Sequence, residues 1–326
     1  MKNVLVTGGT GFIGSNLSTK LLELGCNVYI LRRPNSDLRA IKEIDVEHRI
    51  GDILDVESLR RAMHGCDTVF HTAAVVTFSR KKRRMQHEVN VVGTRNVVEA
   101  CLFTGIERLI HTSSIAAIGH PQPGDLATEG TPFNWEQPAG YKQSKHLAEK
   151  EVLAGVAKGL NAIIVNPSVV IGERDIHLHG GQLIKEVKKG RVPFYIEGGM
   201  NVVYVGDIVN GHILAAQKGR IGERYILSGH NMTHRDIFRR VAEIVGGRPP
   251  FAGLPIPLLK LGARVIETAS NMIGVEPLVS PGLVAGAGLY NWYSSEKART
   301  ELGYTVSSFD HTILAAYRWY RENGFF

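Results

Sequence analysis

Apolar positions along the first half of the chain fall into short runs separated by stretches with helical spacing. "NVLVT" (residues 3–7) has the length and character of a buried strand. Residues 12–25, "FIGSNLSTKLLELG", carry apolar side chains at helical intervals and stop at Gly25, a common helix terminator. The alternation then repeats. "NVYILRR", "HRIGDI", "DTVFHTAA", "RLIHTSSIAAI" and "NAIIVNPSVVIG" read as strands. "VESLRRAMHGC", "NVVGTRNVVEACLFTGI" and the stretch opening at Tyr141 read as helices. Strand–helix alternation at this spacing predicts a doubly wound parallel sheet of the Rossmann type.

The second half is less regular. "GGQLIKEVKKG", "MTHRDIFRRVAEIVGG" and "HTILAAYRWYRENG" have helical periodicity, and "NVVYVGDIVNGHILAAQ" reads as a strand running into a helix. "RPPFAGLPIPLLKLGARVIETASNMIG" has prolines followed by an apolar helix, expected to pack the smaller domain or else to line a hydrophobic substrate pocket as a lid. The expected organisation is a nucleotide-binding domain over 1–170 and a smaller mixed α/β substrate domain over 171–326. Residues 201–220 cross back onto the first domain.

Composition changes this picture little. With 44% hydrophobic and 21% charged residues, the chain has the mix of a soluble globular protein. No apolar run is long enough for a membrane span, and the N-terminal stretch lacks a signal peptide's apolar segment. Three dispersed cysteines, Cys26, Cys66 and Cys101, suit neither a disulfide framework nor a metal site and predict a reducing, cytoplasmic setting. The net charge of +7 suits an anionic ligand such as a phosphorylated cofactor. Nucleic-acid motifs are absent.

Candidate chemistry begins at the first turn. Gly9-x-Gly11-x-x-Gly14 follows a strand and opens a helix. In that setting glycines let the backbone approach a pyrophosphate, and the helix N-terminus offers free N–H groups and a favourable dipole. The second strand ends in Arg32 and Arg33, where a site for NAD(H) places a carboxylate. An arginine fork binds a 2′-phosphate, so the pattern predicts NADP(H) over NAD(H). Asp52 either meets the adenine amino group or caps its own loop. Further on, Tyr141 and Lys145 stand four residues apart, on one helical face. Glu149, Lys150 and Glu151 are expected on that helix's polar side.

Taken in order, "TGGTGFIG", "GDI", "HTAA", "NVVGT", "TSS", "YKQSK" and "NPSVVIG" resemble the extended short-chain dehydrogenase/reductase family over nearly the whole chain. "LRRPNSDLRAI" and "GRIGERYILSGHNMTHRDIF" narrow the likeness to dihydroflavonol-4-reductase-like proteins and the related hopanoid-associated sugar epimerases. The resemblance implies a catalytic set of Ser114, Tyr141 and Lys145, with Ser113 the fallback for the serine and Asn90 near the active site. It implies cofactor contacts from Gly8, Phe12 and Ile13 around the first turn and from Ile53 beside Asp52. Thr72, Ala73, Ala74, Asn166, Pro167 and Val169 complete that set. It also implies a homodimer formed through the helices before and around Tyr141.

Hydride transfer at a carbonyl needs an acid or base for the oxygen. A free tyrosine, with a pKa near 10, is a poor base at neutral pH. A lysine ammonium and a positive nicotinamide ring are expected to lower that value. Family dehydratases carry acidic residues just after the catalytic serine or threonine; here Ile115 and Ala116 stand there, and no cysteine supports a double epimerisation. The chain is therefore expected to be an NADP(H)-dependent reductase or dehydrogenase acting on a ketone or secondary alcohol. The alternative is a nucleotide-sugar epimerase with tightly held NAD, and a nucleotide-sensing non-enzyme ranks last because Tyr141 and Lys145 are both present.

Two features stay outside this scheme. Arg80 to Arg84 form a basic run that reads as a solvated helix face, a membrane-surface patch or a steering patch for a phosphorylated or acidic substrate. His177 and His179 lack a third metal ligand in sequence and read as substrate contacts or plain loop.

Overall fold

The computed structural model describes residues 1–77, 79–122, 124–135, 140–259 and 287–326, with Arg80 described by its backbone. Most of the apolar segment 260–286 therefore lies outside the described residues, and with it the helix expected there.

Seven parallel strands form the central sheet: β1 (Asn3–Thr7), β2 (Asn27–Arg32), β3 (Glu47–Ile50), β4 (Thr68–His71), β5 (Arg108–Thr112), β6 (Ala162–Pro167) and β10 (Arg224–Leu227). Their spatial order is β10-β6-β5-β4-β1-β2-β3, a Rossmann-type arrangement whose direction reverses between β1 and β4. β4 and β6 are buried along their whole length. That is why they read as nearly continuous apolar runs: helices cover both faces. Strand alternation sends Val4 and Val6 to one side and Leu5 to the other. The first side packs against Leu17 and Leu21 of α1 (Phe12–Glu23) and Ile208 and Ile213 of α7 (Val205–Lys218). The second packs against Leu59 of α2 (Val56–Met63), Val97 of α4 (Gly93–Thr104) and Val152 of α5 (Tyr141–Val156).

The sequence run "NAIIVNPSVVIG" is not one strand. It breaks at Ser168, and β7 (Val169–Ile171) leaves the large sheet to pair with β9 (Gly199–Tyr204). Leu227 of β10, paired with Pro167, ends the first ladder there. β9 also pairs with β11 (His230–Thr233) and β13 (Tyr290–Asn291). β11 takes up Met232 and Thr233, so the following helix, α8 (His234–Val245), starts later than its periodicity suggests. Behind this smaller sheet, α6 (Gly181–Lys188), α8 and α10 (Phe309–Glu322) share a core of Ile184, Val241, Val245, Ile313 and Tyr320. The chain returns to the large sheet from Val205 rather than from 201, which lies in β9: α7 covers the large sheet and β10, ending at Leu227, extends it.

Candidate active site

The carboxyl ends of β1, β4, β5 and β6 open into a cleft of about 1130 Å³, walled on its far side by the smaller sheets. At its floor the turn after β1 is shaped for a ligand that needs close backbone approach. Gly8 has φ +70°, and a Cβ there would stand 2.6 Å from the Ala73 backbone nitrogen. A Cβ on Gly14 would stand 2.3 Å from the Gly8 carbonyl oxygen. Gly9 turns inward on Ile30, while Gly8, Gly11, Phe12, Ile13 and Gly14 face the cleft. No side chain caps the N-terminus of α1 and no acidic residue occupies its first turn. Free N–H groups thus point to where a pyrophosphate belongs. Across the switch point Thr72 hydrogen-bonds the Thr7 carbonyl through its hydroxyl (2.8 Å), which fixes the Thr72–Ala73–Ala74 wall.

Arg32 and Arg33 line the outer end of the cleft. Arg32 donates to His48 Nδ1 (2.8 Å) and to the carbonyls of Arg33 and Pro34. The Arg33 guanidinium is exposed and has no partner among the described residues. Asp37, the acid on the adjoining loop, is held by Arg39 in a two-pronged pair (2.7 and 3.0 Å), which pulls its carboxyl down to about 2. Asp52 lines the cleft and also accepts from its own loop at Leu54 N (3.0 Å); Ile53 packs against Gly93 beside it.

The inner end holds the tyrosine and lysine. Tyr141 opens α5 and Lys145 lies one turn on, and both line the cleft. Ser114, just past the end of β5, lines the cleft with Tyr141, and its hydroxyl pulls the phenol's pKa down. Its own oxygen accepts from Ala116 N (3.1 Å), which fixes its orientation. Ser113 points elsewhere, donating to buried Glu149 (2.5 Å). Of the two serines, the second is thus free of Glu149 and shares the cleft with Tyr141.

Burial holds the Tyr141 phenol above its ordinary pKa, with the nearby Ser114 hydroxyl acting in the opposite direction. The lysine does not bring it down as expected from sequence. Lys145 is itself buried, which pushes its ammonium to about 8 against the opposing pull of Glu149, and it donates to the Thr112 carbonyl (2.7 Å).

Several expected contacts stand one layer behind the cleft. Asn90 lies in a π-helical turn, buried, and clamps Val75 from both ends: Oδ1 accepts from its N–H (2.7 Å) and Nδ2 donates to its carbonyl (3.0 Å). Nδ2 also donates to Ser144 Oγ (2.9 Å), which donates to the Tyr141 carbonyl. Asn90 thus ties the cofactor-side loop to the first turn of α5. Asn166 donates to the Ser114 carbonyl (2.9 Å) and to Glu149 (2.6 Å); it and Pro167 back the wall on which Ser168 and Val169 show.

Glu149 was expected on the polar face of its helix, yet it is 2% exposed. It gathers Ser113, Asn166 and Arg224 (3.2 Å). The available signal was its register: Tyr141, Lys145 and Glu149 are i, i+4 and i+8 on one face. Ser168 was also missed. Its hydroxyl is buried at the cleft wall without a partner among the described residues. This orphan hydroxyl and the glycine cradle fit a nicotinamide dinucleotide.

His177 and His179 line the cleft with their rings 5.8 Å apart. No group of three His, Cys, Asp or Glu side chains that could hold a metal occurs among the described residues. Lys81, Lys82, Arg83 and Arg84 are exposed and lie outside the cleft. No described helix is long and apolar enough to cross a membrane.

Residues 4–228 match the NAD dependent epimerase/dehydratase family, and the chain belongs to it: it is an enzyme of the extended short-chain dehydrogenase/reductase type. It is 36% identical, over 98% of its length and 95% of the relative's, to a Synechocystis sp. protein whose name provisionally makes it a dihydroflavonol 4-reductase. It is 31% identical to sterol demethylase protein B of Methylococcus capsulatus, over 98% of each. The crystal structure of gox2253 superimposes with a TM-score of 0.89 at 40% identity, covering 99% of both chains.

Proposed function

We propose that this enzyme reduces a ketone, or oxidises the corresponding secondary alcohol, by hydride transfer with NADP(H), using Ser114, Tyr141 and Lys145. The observation that carries the reading is that Ser114, Tyr141 and Lys145 all line the same end of the cleft, with Lys145 one helical turn after the tyrosine. Bound in the cleft, the nicotinamide supplies or accepts the hydride and, when oxidised, adds a positive ring. Tyr141, kept protonated by burial, hands its proton to the carbonyl oxygen during reduction. Ser114 donates a hydrogen bond to the same oxygen and orients it. Lys145 and the glycine turn would hold the cofactor's ribose and pyrophosphate, and Arg32 and Arg33 its 2′-phosphate.

The substrate wall favours an apolar molecule over a sugar diphosphate. Phe194, Tyr195, Ile196, Met200 and Phe238 line it. The sterol name of one relative points the same way. A cytoplasmic homodimer paired through α4 and α5 belongs to this reading; Phe103 on α4 and Leu153 on α5 are exposed.

The test is the nucleotide released on denaturing protein purified without added cofactor. Empty protein that binds NADPH reversibly is expected. Near-stoichiometric NAD(H) would instead mean a cofactor recycled in place, as in the epimerase alternative.

A further inference from the structure

We propose that Lys142 recognises an anionic group on the substrate, so that the molecule transformed here is an apolar hydroxy or oxo acid. The inference rests on the hydride-transfer reading and narrows it.

Lys142 follows Tyr141 in the first turn of α5, and both line the cleft. Its ammonium lies over the Trp135 ring, 2.9 Å from the centroid. Trp135 is a fixed platform. Its indole N–H donates to the Ile118 carbonyl (2.9 Å), and its ring meets His120 edge-on at 5.1 Å. A ring face attracts a cation but accepts none of its hydrogen bonds in the way a carboxylate does. Among the described residues no acid or carbonyl takes the Lys142 hydrogens.

The other cations of the cleft are differently placed or already engaged. Lys145 donates to Thr112, Arg32 to His48 and two carbonyls, and Arg33 lies at the outer end. Among the described residues, Lys142 is therefore the cleft cation beside Tyr141 whose hydrogens meet neither an acid nor a carbonyl. Burial pushes it down to about 8, the direction expected of an ammonium that has lost water without gaining an anion. One lysine suits a single carboxylate. A diphosphate is usually met by several cations or by an arginine fork. The cleft it lines is walled in large part by carbon, Val76, Ile115, Ala116 and Val170 among it. The complementary ligand is one carboxylate on an otherwise apolar body.

The test is calorimetric titration of the NADPH-loaded enzyme with biphenyl-4-carboxylate and with its neutral isostere biphenyl-4-carboxamide. The carboxylate should bind about tenfold tighter or better, a difference of one charge-assisted contact. Lys142→Met should bring the two within about twofold, and Lys142→Arg should keep the preference. NADPH affinity and melting temperature, measured on each variant, report whether the fold is intact. Equal binding of acid and amide, no carboxylate binding at millimolar concentration, or a preference that survives in Lys142→Met overturns the inference. If NADPH still binds reversibly in those cases, the hydride-transfer reading stands. Displacement of the carboxylate by UDP from protein that retains NAD(H) overturns that reading as well.

Discussion

Replacing Glu149 tests whether a buried carboxylate holds the serine and asparagine of the site in place. Its oxygens accept from Ser113 Oγ at 2.5 Å, Asn166 Nδ2 at 2.6 Å and Arg224 at 3.2 Å. Removing one partner of a buried ion pair costs about 3–5 kcal/mol. The Arg224 side chain is 30% exposed, so water recovers part of its loss. Ser113 and Asn166 are buried and do not recover theirs, at about 1–3 kcal/mol for each unmet donor. Glu149→Ala should therefore lose about 3–4 kcal/mol. In Glu149→Gln the amide oxygen still accepts from Ser113 and Asn166 while its NH2 confronts Arg224, and the loss should be about 1–2 kcal/mol.

Urea unfolding followed by tryptophan fluorescence reads the difference. A second effect separates this role from plain packing. Glu149 holds the Lys145 ammonium up against burial, so Glu149→Gln should move it further below about 8. Less Lys145 is then charged at a given pH, and the alkaline limb of the pH–rate profile should shift to lower pH. A loss below about 1 kcal/mol in Glu149→Ala, with the alkaline limb of Glu149→Gln in place, refutes the reasoning.

The double variant Arg32→Ala/Arg33→Ala should raise the NADPH dissociation constant about tenfold or more and leave that for NADH within about twofold, read by nucleotide fluorescence; parallel weakening of both nucleotides would deny the 2′-phosphate contact. Three buried histidines make the fold acid-sensitive. Burial pushes His71 down to about 3, His212 to about 4 and His111 well below its ordinary 6.5. Above 6.5 each is neutral in both states; below it the unfolded chain takes up protons that the native state refuses. Stability should therefore fall as pH drops from 6.5 towards 4, by up to ~1.4 kcal/mol per pH unit for each ring. Flat urea midpoints between pH 6.5 and 4.5 would contradict this.

What could be read from sequence was what local spacing determines. The strand–glycine turn–helix unit and the Tyr141–Lys145 face are both complete within a few residues, and the family read from such motifs is the one whose model matches residues 4–228. What could not be read depends on partners far along the chain. Glu149 looks like any helix-surface acid until Ser113, Asn166 and Arg224 converge on it from three other segments. The sheet change at Ser168 hides inside an apolar run because both halves are strands, and only their different neighbours, β10 and β9, separate them. Ser113 and Ser114 lie just past a five-residue strand, too close to its end for alternation to say which hydroxyl faces the tyrosine. The apolar wall around Met200 and Phe238 is assembled from segments with no shared motif.

The most direct test of the central claim is NADPH oxidation over a panel of apolar ketones, measured for the wild-type enzyme and for Tyr141→Phe. The wild type should turn over at least one of them. The phenylalanine variant should lose about a thousandfold in kcat while its NADPH dissociation constant stays within about twofold. A Tyr141→Phe enzyme that reduces the same ketone at the wild-type rate would contradict the account.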